Sequence, residues 1–96
     1  MKYFALLYDV VDDYVERRAA FRDEHLGLGR EAVARGEIVL GGAFSDPADT
    51  APIVFRCEDA STAENFARND PYVKNGLVKQ WRARPWNVVT GTAHSE

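Results

Sequence analysis

The order of its patterned segments constrains this chain most: apolar runs of strand length and stripes of helical period follow one another as strand, helix, strand, strand, helix, strand within 96 residues. The first strand spans Lys2 to Asp9 around Tyr3-Phe4-Ala5-Leu6-Leu7-Tyr8, short and aromatic-rich as a buried strand is. A polar turn at Asp12-Asp13 follows. From Tyr14 to about Arg35, the residues Tyr14, Phe21, Leu28 and Ala32 share one face, with Val15, Ala19, Leu26 and Val33 alongside. That spacing predicts one long amphipathic helix. Asp12 or Asp13 is placed to cap its start, and Gly36 to close its end in the left-handed conformation.

Glu37 to Phe44 then reads as strand two and Ala51 to Cys57 as strand three, joined by the turn formers of Ser45-Asp46-Pro47-Ala48-Asp49-Thr50. Ser61 and Glu64 have the spacing of a capping box that opens a second, shorter helix, and Pro71 ends it by disfavouring the helical conformation at Asp70. Gly76 breaks the chain again. Leu77 to Val89 supplies the last strand, with Pro85 marking an edge or a bulge.

This order is the split βαβ arrangement of a ferredoxin-like α+β domain, in which both helices lie on one face of an antiparallel sheet. Residues 1–90 form a single domain and 91–96 a loose tail. The uncovered sheet face is rich in strand aromatics and is expected to pair with a second copy as a homodimer.

Charge excludes some partners. With 15 acidic and 12 basic side chains the net charge is -3, so the chain has no general attraction for nucleic acid or for anionic lipid. Its longest apolar runs fall well short of the ~20 residues of a membrane-spanning helix, and no signal-like segment precedes the first strand. A soluble, cytoplasmic protein is the default expectation. Cys57 is the only cysteine, which rules out an intrachain disulfide and a thiolate cluster; it reads as the end of a strand. His94 sits in the polar tail, and the two histidines have no metal-ligand spacing. Neither a metal nor a nucleotide motif is present, and no cofactor is expected.

Chemistry concentrates on the helices. His25 shares the apolar stripe with Phe21, Leu28 and Ala32, which turns its imidazole toward the sheet. Asp70 ends the second helix, where the macrodipole disfavours a carboxylate and a cationic neighbour would offset the cost. In a ferredoxin-like layout the end of the second helix approaches the middle of the first, so His25 and Asp70 are candidates for a pair. A carboxylate beside an imidazole orients the ring and fixes its tautomer, which suits general acid–base work. The plainer readings are a packed core histidine and an aspartate that starts the Asp70-Pro71 turn. Arg22, one turn before His25, is a candidate for binding an acidic ligand group or the Asp70 carboxylate, although such arginines are ordinarily solvated. Gly42, in Gly41-Gly42, would let a ligand approach the backbone unless the pair marks a bulge. Asp46 could line the same mouth or merely form its turn, while Tyr8, Tyr72 and Trp81 supply apolar walls or core.

Arg22-Asp23-Glu24-His25-Leu26, Gly41-Gly42-Ala43 and Asp70-Pro71-Tyr72-Val73 with Gly76-Leu77 together resemble the YciI-like family, from about Lys2 to Val89. The resemblance implies a dimeric α+β barrel, in which two ferredoxin-like domains pack their sheets, with His25 and Asp70 at the active site. It departs from many relatives at Gly41-Gly42-Ala43, where they carry a glycine-proline pair. Some relatives are associated with dehydrochlorination of small hydroxylated rings; similar barrels include muconolactone isomerases and small monooxygenases.

The expected function is therefore acid–base chemistry of the lyase, dehydrohalogenase or isomerase type on a small aromatic or enolic acid, with His25 moving the proton and Asp70 holding the ring. Arg22, Gly42, Asp46 and Tyr72 are the candidate substrate contacts. The alternatives are a dimeric binding or accessory module that holds a small metabolite without transforming it, and a purely structural dimerisation domain.

Overall fold

The computed structural model describes residues 1–91; His94 and the rest of the expected tail lie outside the described residues. Four strands, β1 (Lys2–Val10), β2 (Ile38–Gly41), β3 (Thr50–Cys57) and β4 (Val78–Trp86), form one sheet in the order β2-β3-β1-β4, every neighbouring pair antiparallel. The helical segments are α1 (Tyr14–Arg17), α2 (Arg22–Ala34), α3 (Ser61–Asn69) and α4 (Pro71–Lys74). The architecture is the ferredoxin-like α+β fold that the segment order predicts.

Alternation decides the two sheet faces. On β1, Phe4, Leu6, Tyr8 and Val10 are buried, and on β3 so are Ala51, Ile53, Phe55 and Cys57; together with Ala63, Ala67, Tyr72 and Leu77 from the helical side they form the core. Directly paired residues share a face. Tyr3, Ala5 and Leu7 therefore stand with Arg56, Val54 and Pro52 on the opposite, half-buried face, which also carries Arg82, Arg84 and Trp86 of β4. β4 is an edge strand, where Pro85 costs no ladder bond.

Four local expectations need correction. The long first helix is broken: α1 and α2 are separated by a 3-10 turn, Arg18–Phe21, and Phe21 (φ -120°, ψ 3°) lies outside the helical region. Asp13 stands at the N-cap of α1 but makes no capping bond, because at φ -97° and ψ 27° it lacks the extended backbone that aims a cap side chain at the first turn; it pairs with Arg17 instead, at 3.8 Å. The Ser61–Glu64 capping box does not form either. Ala60 is helical at the N-cap, Ser61 is already inside α3, and both its backbone N–H and its hydroxyl donate to Asp59 Oδ1.

Strand two is shorter than Glu37 to Phe44. Gly42 N–H donates to Pro52 O at 3.2 Å, but Pro52 has no N–H to return, so the regular ladder stops at Gly41. The irregularity in its pairing falls between Ile38 and Leu40, upstream of the glycines. The closing of α2 follows expectation. Gly36 is left-handed (φ 78°), its N–H donates to Val33 O, and Glu37 N–H reaches Ala32 O, the double bond of a Schellman cap. Among the described residues, no helix is long and apolar enough to cross a membrane.

Candidate active site

Pro71 creates the site's geometry. It forces Asp70 out of the helical region (φ -75°, ψ 125°), which ends α3, and Pro71 then serves as the first residue of α4 with Asp70 as its N-cap. The Asp70 carboxylate is thus at a helix start as well as a helix end. Tyr72 N–H donates to its Oδ1 at 3.0 Å, so local hydrogen bonding offsets the unfavourable end of α3.

Asp70 is fully buried, with 0% exposure, and is the only buried charged residue among those described. Three donors converge on it. Tyr8 hydroxyl donates to Oδ2 at 2.8 Å, Tyr72 N–H to Oδ1, and His25 Nδ1 stands 2.9 Å from both oxygens. An ionised carboxylate only accepts, so against it Nδ1 carries the hydrogen, and in the neutral ring Nε2 is left with its lone pair. The imidazole lies flat on Tyr72, ring centroids 3.9 Å apart and planes 8° from parallel, and Tyr14 meets the far side of that cluster edge-on to Tyr72. Orientation by carboxylate and stacking together leaves the ring one position. Its side chain is 18% exposed, so it is open to the cleft rather than sealed in hydrocarbon.

The cleft has a volume of about 370 Å³ and lies between α2, the start of the helical region and the end of β2. Its lining includes Tyr8, His25 and Tyr72, the apolar side chains of Ile53 and Phe66, here called its floor, and Gly41, Gly42 and Ala43. A Cβ at Gly41 would come to 3.4 Å from the Ile53 side chain, which is close to ordinary contact.

Burial pushes the Tyr8 phenol far above its ordinary range, helped by the Asp70 charge and the hydrogen bond to it. A group whose pKa is raised by folding stabilises the fold below its unfolded value, ~10 for tyrosine, and that stability is lost as the pH climbs above it. The wild-type protein should therefore lose stability steeply above about pH 10, and Tyr8→Phe should flatten that limb. Urea midpoints measured between neutral and alkaline pH check this; identical alkaline slopes would refute it.

The sequence model of the YCII-related domain matches residues 1–87. The chain belongs to the YCII-related domain family. No curated protein matches this YCII-related sequence. Among solved structures, the fold is similar to 5-chloro-2-hydroxyhydroquinone dehydrochlorinase (TftG) from Burkholderia phenoliruptrix AC1100, in complex with 2,5-dihydroxybenzoquinone. The TM-score is 0.73 at 17% identity, over 88% of this chain and 93% of that one. At that identity the likeness is one of fold.

Of the site residues read from the sequence of this YCII-related protein, His25 and Asp70 are in direct contact, and Arg22, Gly42 and Tyr72 line the cleft. Asp46 does not line it. That residue is exposed in the β2–β3 loop at φ 59°, a left-handed conformation that aspartate tolerates better than most side chains. Trp81 packs against the core near Arg68 rather than on the cleft wall. Cys57 is buried at the end of β3, where burial pushes its thiol up, away from reactivity. No group of three or more His, Cys, Asp or Glu side chains among the described residues is placed to hold a metal ion.

Three contributors escaped the sequence reading. Tyr8 is a polar partner of Asp70 rather than only an apolar wall, which the alternation of β1 hints at by turning it inward with Leu6 and Val10. Arg18 and Arg30 line the cleft beside Arg22. Once the helix is broken at the 3-10 turn, helical spacing no longer relates Arg18 to the other two.

Proposed function

We propose that this YCII-related protein catalyses proton-transfer chemistry of the lyase or dehydrohalogenase type on a small hydroxylated ring, with His25 as the proton carrier and Asp70 as the group that holds it. The observation that supports this most is the double 2.9 Å contact of His25 Nδ1 with a fully buried carboxylate, at the wall of an open cleft. A merely structural histidine has no need of an opening. The cleft's apolar floor suits a ring of this size.

In the proposed reaction the ring reacts as the keto tautomer in which a hydroxyl proton has moved to the carbon that bears the leaving group; Nε2 removes a proton from a second ring hydroxyl, and the electron pair released forms C=O and moves through the ring to expel the leaving group. For a chlorinated substrate the C–Cl bond breaks with its electron pair on chloride, and His25 then gives the proton to solvent; the net change is loss of HCl. If nothing leaves, returning the same proton to another carbon gives an isomerisation. Asp70 stabilises the imidazolium formed on the way and stays ionised. The similarity to a dehydrochlorinase structure, one holding a small dihydroxyquinone, supports this choice of substrate class.

The test is to incubate the protein with halogenated and enolic hydroxylated rings, 5-chloro-2-hydroxyhydroquinone first, following chloride release and ring absorbance. Turnover above the solution rate is expected. Saturable binding across the panel without conversion of any member would replace the enzyme by a ligand-holding module.

We also propose that the protein works as a homodimer through the sheet face opposite the helices. Ala5, Leu7, Pro52 and Val54 on that face form a half-buried apolar patch that no helix among the described residues covers. Val54→Glu should convert the dimer to a monomer in light scattering; an unchanged mass would refute this interface.

A further inference from the structure

The cleft carries an unbalanced charge. Arg18, Arg22 and Arg30 all line it, and no aspartate or glutamate does, although the whole chain has a net charge of -3. Elsewhere three arginines are paired, Arg17 with Asp13, Arg35 with Glu37 and Arg82 with Asp9, while Arg68 contacts Asn65 and Trp81 instead. Among the described residues, none of the three at the cleft takes part in an ion pair; Arg18 lies over the Tyr14 ring, 5.2 Å from its centroid. A lone exposed arginine is ordinarily a solvated charge. The nearest carboxylate, Asp70, is fully buried and already engaged by three donors, so the mutual repulsion of three guanidiniums around one apolar cleft is left to solvent or to an anion.

A second, independent feature points the same way. Tyr72 lines the cleft, its ring is 1% exposed, and its hydroxyl is buried with no hydrogen-bond partner among the described residues. Burial, with Tyr14 and Asp70, pushes that phenol up, and the Arg22 and Arg18 charges offset part of the rise. An unpaired buried O–H is a donor without an acceptor, and leaving it so is costly.

We infer that the cleft takes its ligand as a planar organic anion, such as an ionised hydroxyquinone or an arenecarboxylate, whose oxygens are gripped by Arg22 and Arg30 with Arg18 beside them while its ring lies on the Ile53–Phe66 floor. Guanidinium suits this task because its planar fork matches a delocalised oxyanion and also packs on rings. A neutral ring of the same shape gains the floor but not the fork. The inference rests on the cleft being the substrate site, and it adds the charge state in which the substrate arrives.

The test uses calorimetric binding of two anions, 2,5-dihydroxybenzoquinone and 4-hydroxybenzoate, each beside a neutral isostere: the dimethyl ether of the first and the amide of the second. For the wild-type protein, at least one anion should bind about tenfold or more tightly than its neutral partner, and its affinity should fall severalfold as salt rises. Arg22→Gln and Arg30→Gln should each weaken that anion by about tenfold and leave the neutral compound nearly unchanged, with Arg22→Lys recovering part of the loss. Equal binding of anion and isostere, indifference to both glutamine variants, or no saturable binding of either anion at millimolar concentration overturns the inference. Failure of the catalytic reading is distinguishable, because it shows as anion binding that retains its charge preference while His25→Gln loses no turnover.

Discussion

Replacing His25 by glutamine is expected to lower kcat by about 10²–10⁴-fold, the usual contribution of a positioned general acid or base. Glutamine still reaches Asp70 with an N–H, so the buried carboxylate keeps a donor and the cooperative unfolding transition should survive. The cleft's floor and arginines are untouched, so ligand affinity should change little, and the loss should appear in kcat rather than KM. Turnover measured with the best substrate of the panel, beside a urea titration of the same variant, checks both halves. A variant with wild-type kcat would remove His25 from the chemistry.

Asp70→Ala carries the largest expected cost to stability, about 2–4 kcal/mol, because it leaves the buried Tyr8 hydroxyl and the Tyr72 N–H without their acceptor and empties the cap of α4. Asp70→Asn should separate stability from catalysis. The amide oxygen can still accept from Tyr72 N–H, but the NH₂ group then confronts donors, Tyr8 O–H on one side or His25 Nδ1–H on the other. Tyr8 can rotate its hydrogen away, whereas the imidazole, 2.9 Å from both positions, either faces the NH₂ group while sharing the amide oxygen with Tyr72 N–H or changes tautomer and places its hydrogen on Nε2, the atom needed as a base. Loss of about 10²-fold or more in kcat is expected with a smaller stability cost, ~1–2 kcal/mol. Because both residues act through one ring, His25→Gln and Asp70→Asn should be strongly non-additive in a double-mutant cycle. Additive losses, or an Asp70→Ala variant as stable as the wild type, would contradict the arrangement.

The fold was legible because strand and helix periods are local properties of the sequence. The alternation of Phe4, Leu6 and Tyr8 against Tyr3, Ala5 and Leu7, the spacing from Phe21 to Ala32, and glycines at positions that adopt positive φ all act within a few residues. Two of the errors lay where a competing hydrogen-bond partner decides the outcome, distant in one case and two residues away in the other. Pro52, from the neighbouring strand, shortens β2 by withholding a donor from Gly42. Asp59 captures Ser61 before Glu64 can complete a capping box. The 3-10 turn at Arg18–Phe21 has no glycine or proline to announce it, yet it sets how Tyr14 and His25 both come against Tyr72.

The site was legible in part for a related reason. An imidazole on an apolar stripe and a carboxylate before a proline are local anomalies, and in a ferredoxin-like layout they converge. Asp70's second role, as the cap of α4, was hidden because Pro71 reads as a helix breaker and not also as a helix start. The Tyr8 hydroxyl bond spans 62 residues and follows only from register. Asp46 illustrates the opposite case: a polar residue near the glycines in sequence that the loop carries away from the cleft.

The most direct test is the tautomer of His25, read from the nitrogen shifts of its ring by NMR on labelled protein, with and without 2,5-dihydroxybenzoquinone. The account predicts that the neutral ring carries its hydrogen on Nδ1, toward Asp70, with Nε2 bare and its shift moving when the ligand enters. A neutral ring protonated on Nε2, or ring nitrogens that do not respond to the ligand, would contradict it.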